Sequence, residues 1–117
     1  MKTPADVYNL ALSYVGAVGA GQTPSAEDLA IANRQLRPLL EELAARDIAY
    51  VPIDPDDDTV ECIEEQFYAV LSELLANQMA PEFGQPTSES VRAAAEIRLR
   101  RMTATGSYEQ VQQSEYF

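Results

Sequence analysis

The sequence predicts an all-α protein, a four-helix bundle with an acidic inter-helix loop and an extended C-terminal tail. Four segments place apolar residues at the spacing of three and four that gives a helix one buried face. Each segment is bounded by proline, glycine or a polar residue that can cap a helix. At 117 residues the chain is long enough for one core. We therefore expect a helical domain, residues 1–105, and a tail, residues 106–117.

The first helix is predicted to begin after Thr3, which can cap it. Pro4 suits the first helical position, and Asp6 lies where a carboxylate meets the free N–H groups. The residues expected on its apolar face are Val7, Leu10, Tyr14, Val15 and Val18. The residues expected to end it are Gly16, Gly19 and Gly21.

The second helix is predicted to begin at Thr23-Pro24 or at Ser25, and Arg46 near its end suits the negative end of the helix dipole. Its apolar stripe contains Leu29, Ala32, Leu36, Leu39, Leu40 and Leu43. Pro38 removes one backbone hydrogen bond from this helix. We expect a kink that wraps the helix around the core, with a hinge as the alternative.

Residues 47–58 contain too much proline and aspartate for a helix, so we expect an exposed loop. The third helix is predicted to start at Asp58 or Thr59, with Asp58 and Glu61 as an acidic cap. Its broad apolar face marks it as the central helix of the core. The residues on that face are Val60, Ile63, Phe67, Val70, Leu71, Leu74 and Leu75.

The fourth helix is predicted to be capped by Thr87 or Ser88 and to run to about Thr103. A narrow stripe of mostly small residues implies close packing. The stripe comprises Val91, Ala94, Ala95, Leu99 and Met102. After Gly106 the segment is polar and acidic, with the apolar residues Tyr108, Val111, Tyr116 and Phe117. We expect these residues to anchor a partner protein; the alternative is that the tail packs on its own subunit.

Charge and composition exclude several classes of function. The net charge is −11, and from Asp54 to Glu73 there are eight acidic residues and no basic one. Such a chain repels a phosphate backbone over most of its surface, which argues against a protein that grips DNA. The chain has one cysteine, Cys62, and no histidine, so structural zinc and histidine-based catalysis are not expected. We predict no enzyme activity, no cofactor, no metal site and no membrane association.

One acidic stretch partly matches a calcium-binding loop. Asp54, Asp56, Asp58 and Glu65 stand at the first, third, fifth and twelfth positions of an EF-hand pattern. The sixth position, where the pattern needs glycine for a sharp turn, is Thr59. We therefore interpret the stretch as a solvated loop that leads into a helix.

A resemblance to a known family rests on residues 7–47. A helix ending in Tyr-Val-Gly is followed by Gly-Gln-Thr-Pro-Ser-Ala-Glu-Asp, a leucine-rich helix and a turn at Asp47. This resembles the head-to-tail adaptors of tailed bacteriophages, also called head-completion, tail accessory or packaged-DNA stabilisation proteins. The predicted helix order, acidic loop and tail extend the similarity over nearly the whole chain. Two departures are the absence of tryptophan and the position of Pro38.

The resemblance implies a structural virion protein, present in the host cytoplasm during assembly and then in the neck of the virion. Such subunits form a ring of about twelve copies beneath the portal, a heterologous assembly that extends the DNA channel and carries the tail or its plug. DNA passes through the channel without specific binding. A C-terminal extension reaches the portal, which here assigns portal binding to Tyr108, Val111, Tyr116 and Phe117.

The charges suggest two further roles within such a ring. The acidic loop residues Asp54, Asp56, Asp57 and Asp58 could face the channel and keep DNA sliding. Neighbouring subunits could bring opposite charges together. The residues predicted for that contact are Arg92, Arg98, Arg100 and Arg101 with Glu61, Glu64 and Glu65. The alternatives are a solvated surface for these charges and, for the protein, a small acidic regulatory module or DNA mimic that binds one cellular protein.

Overall fold

The computed structural model describes residues 1–19, 22–51, 57 and 59–115, with the backbone alone for 104–115. Four α-helices follow one another in the described chain, and a short 3-10 helix, Ala80–Phe83, joins the last two. The α-helices are α1 (Pro4–Tyr14), α2 (Ala26–Ala45), α3 (Glu65–Met79) and α4 (Glu89–Glu115). The prediction of an all-α, four-helix protein is confirmed.

Helix α1 begins with the predicted cap. The Thr3 hydroxyl accepts a hydrogen bond from the Asp6 N–H at 3.2 Å, and the Asp6 carboxylate accepts one from the Thr3 N–H at 2.9 Å. Gly16 takes a left-handed conformation (φ 75°) just beyond the helix end. The Ala17 N–H then donates to the Leu12 carbonyl at 3.0 Å, which closes the last turn.

The predicted apolar face of α1 is partly wrong. Tyr8, Ala11 and Leu12 are buried together with Val7 and Val15, whereas Tyr14 is 48% exposed. The buried face includes Tyr8 because the Asn33 amide of α2 donates to its hydroxyl at 3.0 Å, which satisfies the polar group inside the interface.

Helix α2 begins after Ser25, whose hydroxyl accepts from the Asp28 N–H at 3.2 Å. It ends before Asp47, which takes a left-handed conformation (φ 55°) and so forms the predicted turn. Pro38 lies inside the helix on its exposed side. Because proline has no N–H, Pro38 leaves the backbone carbonyl of residue 34 without its usual helical donor. At the neighbouring carbonyl, that of Gln35, the side chain of Gln78 from α3 donates a hydrogen bond at 3.0 Å.

The predicted start of α3 is wrong by six or seven residues, since the helix begins at Glu65. Residues ahead of it pair with the N-terminal strand-like segment: the Lys2 N–H donates to the Ile63 carbonyl at 2.8 Å and the Ile63 N–H donates back at 3.0 Å. This pairing requires an extended backbone at Ile63 and prevents helical geometry there. Glu61 therefore does not cap α3, whose N-cap position is Glu64, and Ile63 enters the core from outside any helix. Asp58 lies outside the described residues.

Helix α3 is central, as predicted, because α1, α2 and α4 all pack against it. Its buried residues include Val70, Leu71, Leu74, Leu75 and Met79. Buried side chains from the other helices and from the turns complete one cluster. These are Val7, Tyr8, Ala11, Leu12, Val15, Ala32, Leu36, Leu39, Leu43, Ile48, Ala49, Ile63, Ala95 and Leu99.

Helix α4 differs from its prediction at both its face and its end. The Ser88 hydroxyl caps it by accepting from the Val91 N–H at 3.3 Å. Only Ala95 and Leu99 of the predicted stripe are buried, with Met102 partly so, because α4 packs on α3 alone among the described helices. The prediction of an extended tail from Gly106 is wrong, because α4 continues to Glu115. Gln and Glu favour helix and no proline interrupts this stretch, so the local hydrogen-bond pattern can continue past one glycine.

We predict that Leu75→Ala lowers the free energy of unfolding by about 2–5 kcal/mol, because it leaves a cavity in the central helix. Leu75 is fully buried, whereas Val91 is 44% exposed and serves as a matched control. Val91→Ala should cost less than about 1 kcal/mol. Urea unfolding monitored by circular dichroism measures both values. Equal losses for the two variants would contradict the packing described for α3.

Candidate functional site

A group of charged side chains on the surface links α2 to α4. The Arg46 guanidinium donates two hydrogen bonds to the Glu96 carboxylate, at 2.6 and 3.2 Å. Arg92 donates to the same carboxylate at 3.2 Å. Glu42 lies 3.5 Å from both arginines. We call these four residues the α2–α4 ionic cluster.

Glu96 is the centre of this cluster, with a side chain that is only 14% exposed. Burial alone raises the pKa of a carboxyl group, but the hydrogen bonds and positive charges of Arg46 and Arg92 outweigh burial and lower the pKa of Glu96. The same contact with Glu96 raises the pKa of Arg46. The cluster therefore favours the charged form of both partners and connects two helices that pack on α3 from different sides.

Two depressions flank α3. One, of about 240 Å³, lies between α2, α3 and α4 beside the ionic cluster, and its apolar lining residues are Leu39, Leu43 and Leu74. The other is an open groove of about 370 Å³ near the ends of α1 and α3. Its apolar lining residues are Tyr14, Val15, Ala76, Ala80, Pro86 and Val91. Both combine apolar walls with amide and charged groups.

The predicted inter-subunit arginines divide into two groups. Arg92 belongs to the ionic cluster, and Arg98 donates to Glu73 of α3 at 2.9 Å. Arg92 connects α4 to α2 through Glu42, and Arg98 connects it to α3 through Glu73. Arg100 and Arg101 are exposed and follow Ile97, which is 49% exposed.

The predicted acidic partners of these arginines lie at the start of α3. Glu61, Glu64 and Glu65 are all exposed. Glu64 accepts a hydrogen bond from the Gln66 amide at 2.8 Å, and Glu65 lies 3.6 Å from the N-terminal ammonium. Val60, immediately before them, is 47% exposed.

The acidic loop is described only at Asp57. Its carboxylate accepts hydrogen bonds from the Thr59 hydroxyl at 2.8 Å and the Thr59 N–H at 3.4 Å, which forms a local turn. Asp54, Asp56 and Asp58 lie outside the described residues. Within residues 1–19, 22–51, 57 and 59–103, no three Asp, Glu, Cys or His side chains are placed to hold a metal ion.

The predicted portal-binding residues fall in the last part of the chain. Tyr108 and Val111 belong to α4, of which only the backbone is described there. Tyr116 and Phe117 lie outside the described residues. Of the helices described, none is long and apolar enough to cross a membrane.

Sequence reasoning missed the ionic cluster, the two depressions and the exposed side chain of Ile97. The sequence spacing indicates part of this cluster. Glu42 and Arg46 are four residues apart, as are Arg92 and Glu96, and this is the spacing of an ion pair within one helix. The pairing of Arg46 with Glu96 joins positions fifty residues apart and has no local signature.

Comparisons of the chain with protein-family models, with curated proteins and with solved structures found no match.

We predict that Glu96→Gln lowers the free energy of unfolding by about 1 kcal/mol at pH 7. Because the folded pKa of Glu96 is lowered, its ionised form contributes stability above the unfolded value, about 4.3, and loses that contribution as the pH falls through the folded pKa. The difference between Glu96→Gln and the native chain should therefore disappear in acid. Urea titrations at several pH values measure it.

The matched control is Glu41→Gln, which removes an exposed carboxylate of α2 outside the ionic cluster. We expect a change of less than about 0.5 kcal/mol for this variant at pH 7. A pH-independent effect of Glu96→Gln would contradict the ionic explanation.

Proposed function

We propose that this protein is a structural virion protein, a neck adaptor whose copies form a ring that joins the portal to the tail. The ring extends the DNA channel and helps to retain packaged DNA. The observation that carries the proposal is the sequence of residues 7–47, with its Tyr-Val-Gly helix end, Ser-Ala-Glu-Asp helix start and spaced leucines. The observed helices support it, because α1 ends at Tyr14 and α2 is capped by Ser25 as that motif implies.

The charge distribution supports a passage for DNA that does not bind it. The chain has a net charge of −11, and Asp57 in the acidic loop is exposed. A ring of such loops gives the channel a negative wall, which repels phosphates and keeps the duplex from adhering. In the proposal the loop Asp54–Asp58 faces that channel.

Because α4 is long, the proposed contact with the portal is made by a helix rather than by an extended tail. A helix from Glu89 to Glu115 rises about 1.5 Å per residue and spans roughly 40 Å. It carries Tyr108 and Val111 toward the end of the chain that we assign to the portal, where Tyr116 and Phe117 follow. In this form the portal receives a helical segment with aromatic anchors.

The direct test is native mass spectrometry of the chain mixed with the portal protein encoded nearest to it. We expect a complex that contains about twelve copies of the chain on the portal ring. A chain that remains monomeric and ignores the portal would contradict the adaptor proposal. It would favour the alternative of a small regulatory module or DNA mimic with one cellular partner.

We predict that removing residues 106–117 weakens attachment to the portal by about tenfold or more, because it removes all four proposed aromatic and apolar anchors. The deletion removes only the part of α4 that follows its buried residues Ala95 and Leu99, so the core and the unfolding midpoint should be retained. Surface plasmon resonance on immobilised portal measures the affinity. Unchanged affinity would assign portal binding to another part of the chain.

The control for this deletion is the double variant Tyr108→Ala and Val111→Ala in the full-length chain, which keeps the length of α4. A comparable loss of affinity in this variant attributes the effect to the side chains. Normal affinity in the double variant, with loss in the deletion, would place the contact at Tyr116 and Phe117.

A further inference from the structure

The side of α4 that faces away from α3 carries a mixed apolar and basic surface. Its residues recur at a spacing of three and four, so they share one helical face, and all are exposed. We call this surface the α4 outer face; it consists of Ala93, Ala94, Ile97, Arg100 and Arg101. Ile97 is 49% exposed, which leaves a large aliphatic side chain beside positive charge.

The segment that leads into α3 carries the opposite combination. We call residues 60–65 the α3 lead segment; its exposed aliphatic and acidic residues are Val60, Glu61, Glu64 and Glu65, the last of which is the first residue of α3. Val60 is 47% exposed, and the three glutamates around it are exposed as well. The segment is held in place because Ile63 within it is buried and pairs through its main chain with Lys2.

We propose that the α4 outer face of one copy binds the α3 lead segment of the next copy. Each surface presents one exposed aliphatic side chain, Ile97 or Val60, next to charges of opposite sign. Because each copy has a net charge of −11, most orientations of two copies are repulsive. An approach that brings arginines onto glutamates offsets that repulsion and selects one orientation.

The occupant is a second copy of this chain because both complementary surfaces belong to the same molecule and neither can move to meet the other. Arg98 and Arg92 tie α4 to Glu73 and to the ionic cluster, and the pairing with Lys2 fixes the α3 lead segment. Two different surfaces in contact make a heterologous interface, which closes into a ring or continues as a filament. The inference refines the proposed ring and rests on that proposed function for its closure.

The test uses two charge-reversed variants of the full chain. In one, Arg100→Glu and Arg101→Glu reverse the α4 outer face; in the other, Glu61→Lys and Glu64→Lys reverse the α3 lead segment. Sedimentation velocity over a concentration series measures self-association. Relative to the native chain, we expect each variant alone to associate about tenfold more weakly or worse.

Mixing the two variants should restore association, since every contact in an alternating assembly then joins opposite charges. The control variant Glu41→Lys changes an exposed charge outside both surfaces and should associate like the native chain. Circular dichroism checks that every variant keeps its helical content.

Three outcomes overturn the inference: a native chain that stays monomeric at its highest soluble concentration, native-like association of either reversed variant, or a mixture that fails to associate while both variants remain folded. The portal-binding experiment is separate. Restored association in the mixture without portal binding would support this interface and contradict the adaptor proposal. Portal binding by the native chain with native-like association of the reversed variants would do the opposite.

Discussion

Burial of α3 is the constraint on which the rest of the structure depends. This helix contacts α1, α2 and α4, and its residues Leu71 and Leu75 are fully buried. An isolated fifteen-residue helix such as α3 is marginal in water, so its stability comes from those neighbours.

Two polar connections fix the positions of the helices, in addition to the burial of apolar residues. The main-chain pairing of Lys2 with Ile63 fixes the start of α1 against the approach to α3. The ionic cluster centred on Glu96 fixes α4 relative to α2, which α4 does not otherwise approach closely within the described part of the chain. Arg92 and Arg98 are paired within the chain, and Arg100 and Arg101 lie exposed on the outer side of α4.

Local signals predicted much of the fold. Thr3, Ser25 and Ser88 act as caps because a short hydroxyl side chain can accept from an N–H group a few residues ahead, a relation that the sequence displays directly. The start of α3 could not be predicted this way, since the extended backbone at Ile63 depends on Lys2, a residue distant in sequence. The pairing of Glu96 with Arg46 could not be predicted for the same reason, because the two residues lie far apart in sequence. The pairings of Arg92 with Glu42 and of Arg98 with Glu73 also join distant positions, so the proposed interface could be outlined from charge but not located.

The functional account depends on copies of an acidic helical subunit assembling on a portal rather than acting alone. The most direct measurement is electron microscopy of portal particles incubated with the chain, compared with portal alone. The account predicts an added ring of density on one face of the portal, with about twelve repeats around an open central channel. Portal particles that show no added density would contradict it. The comparison is made in a buffer, and at concentrations, in which a known portal ligand saturates its binding.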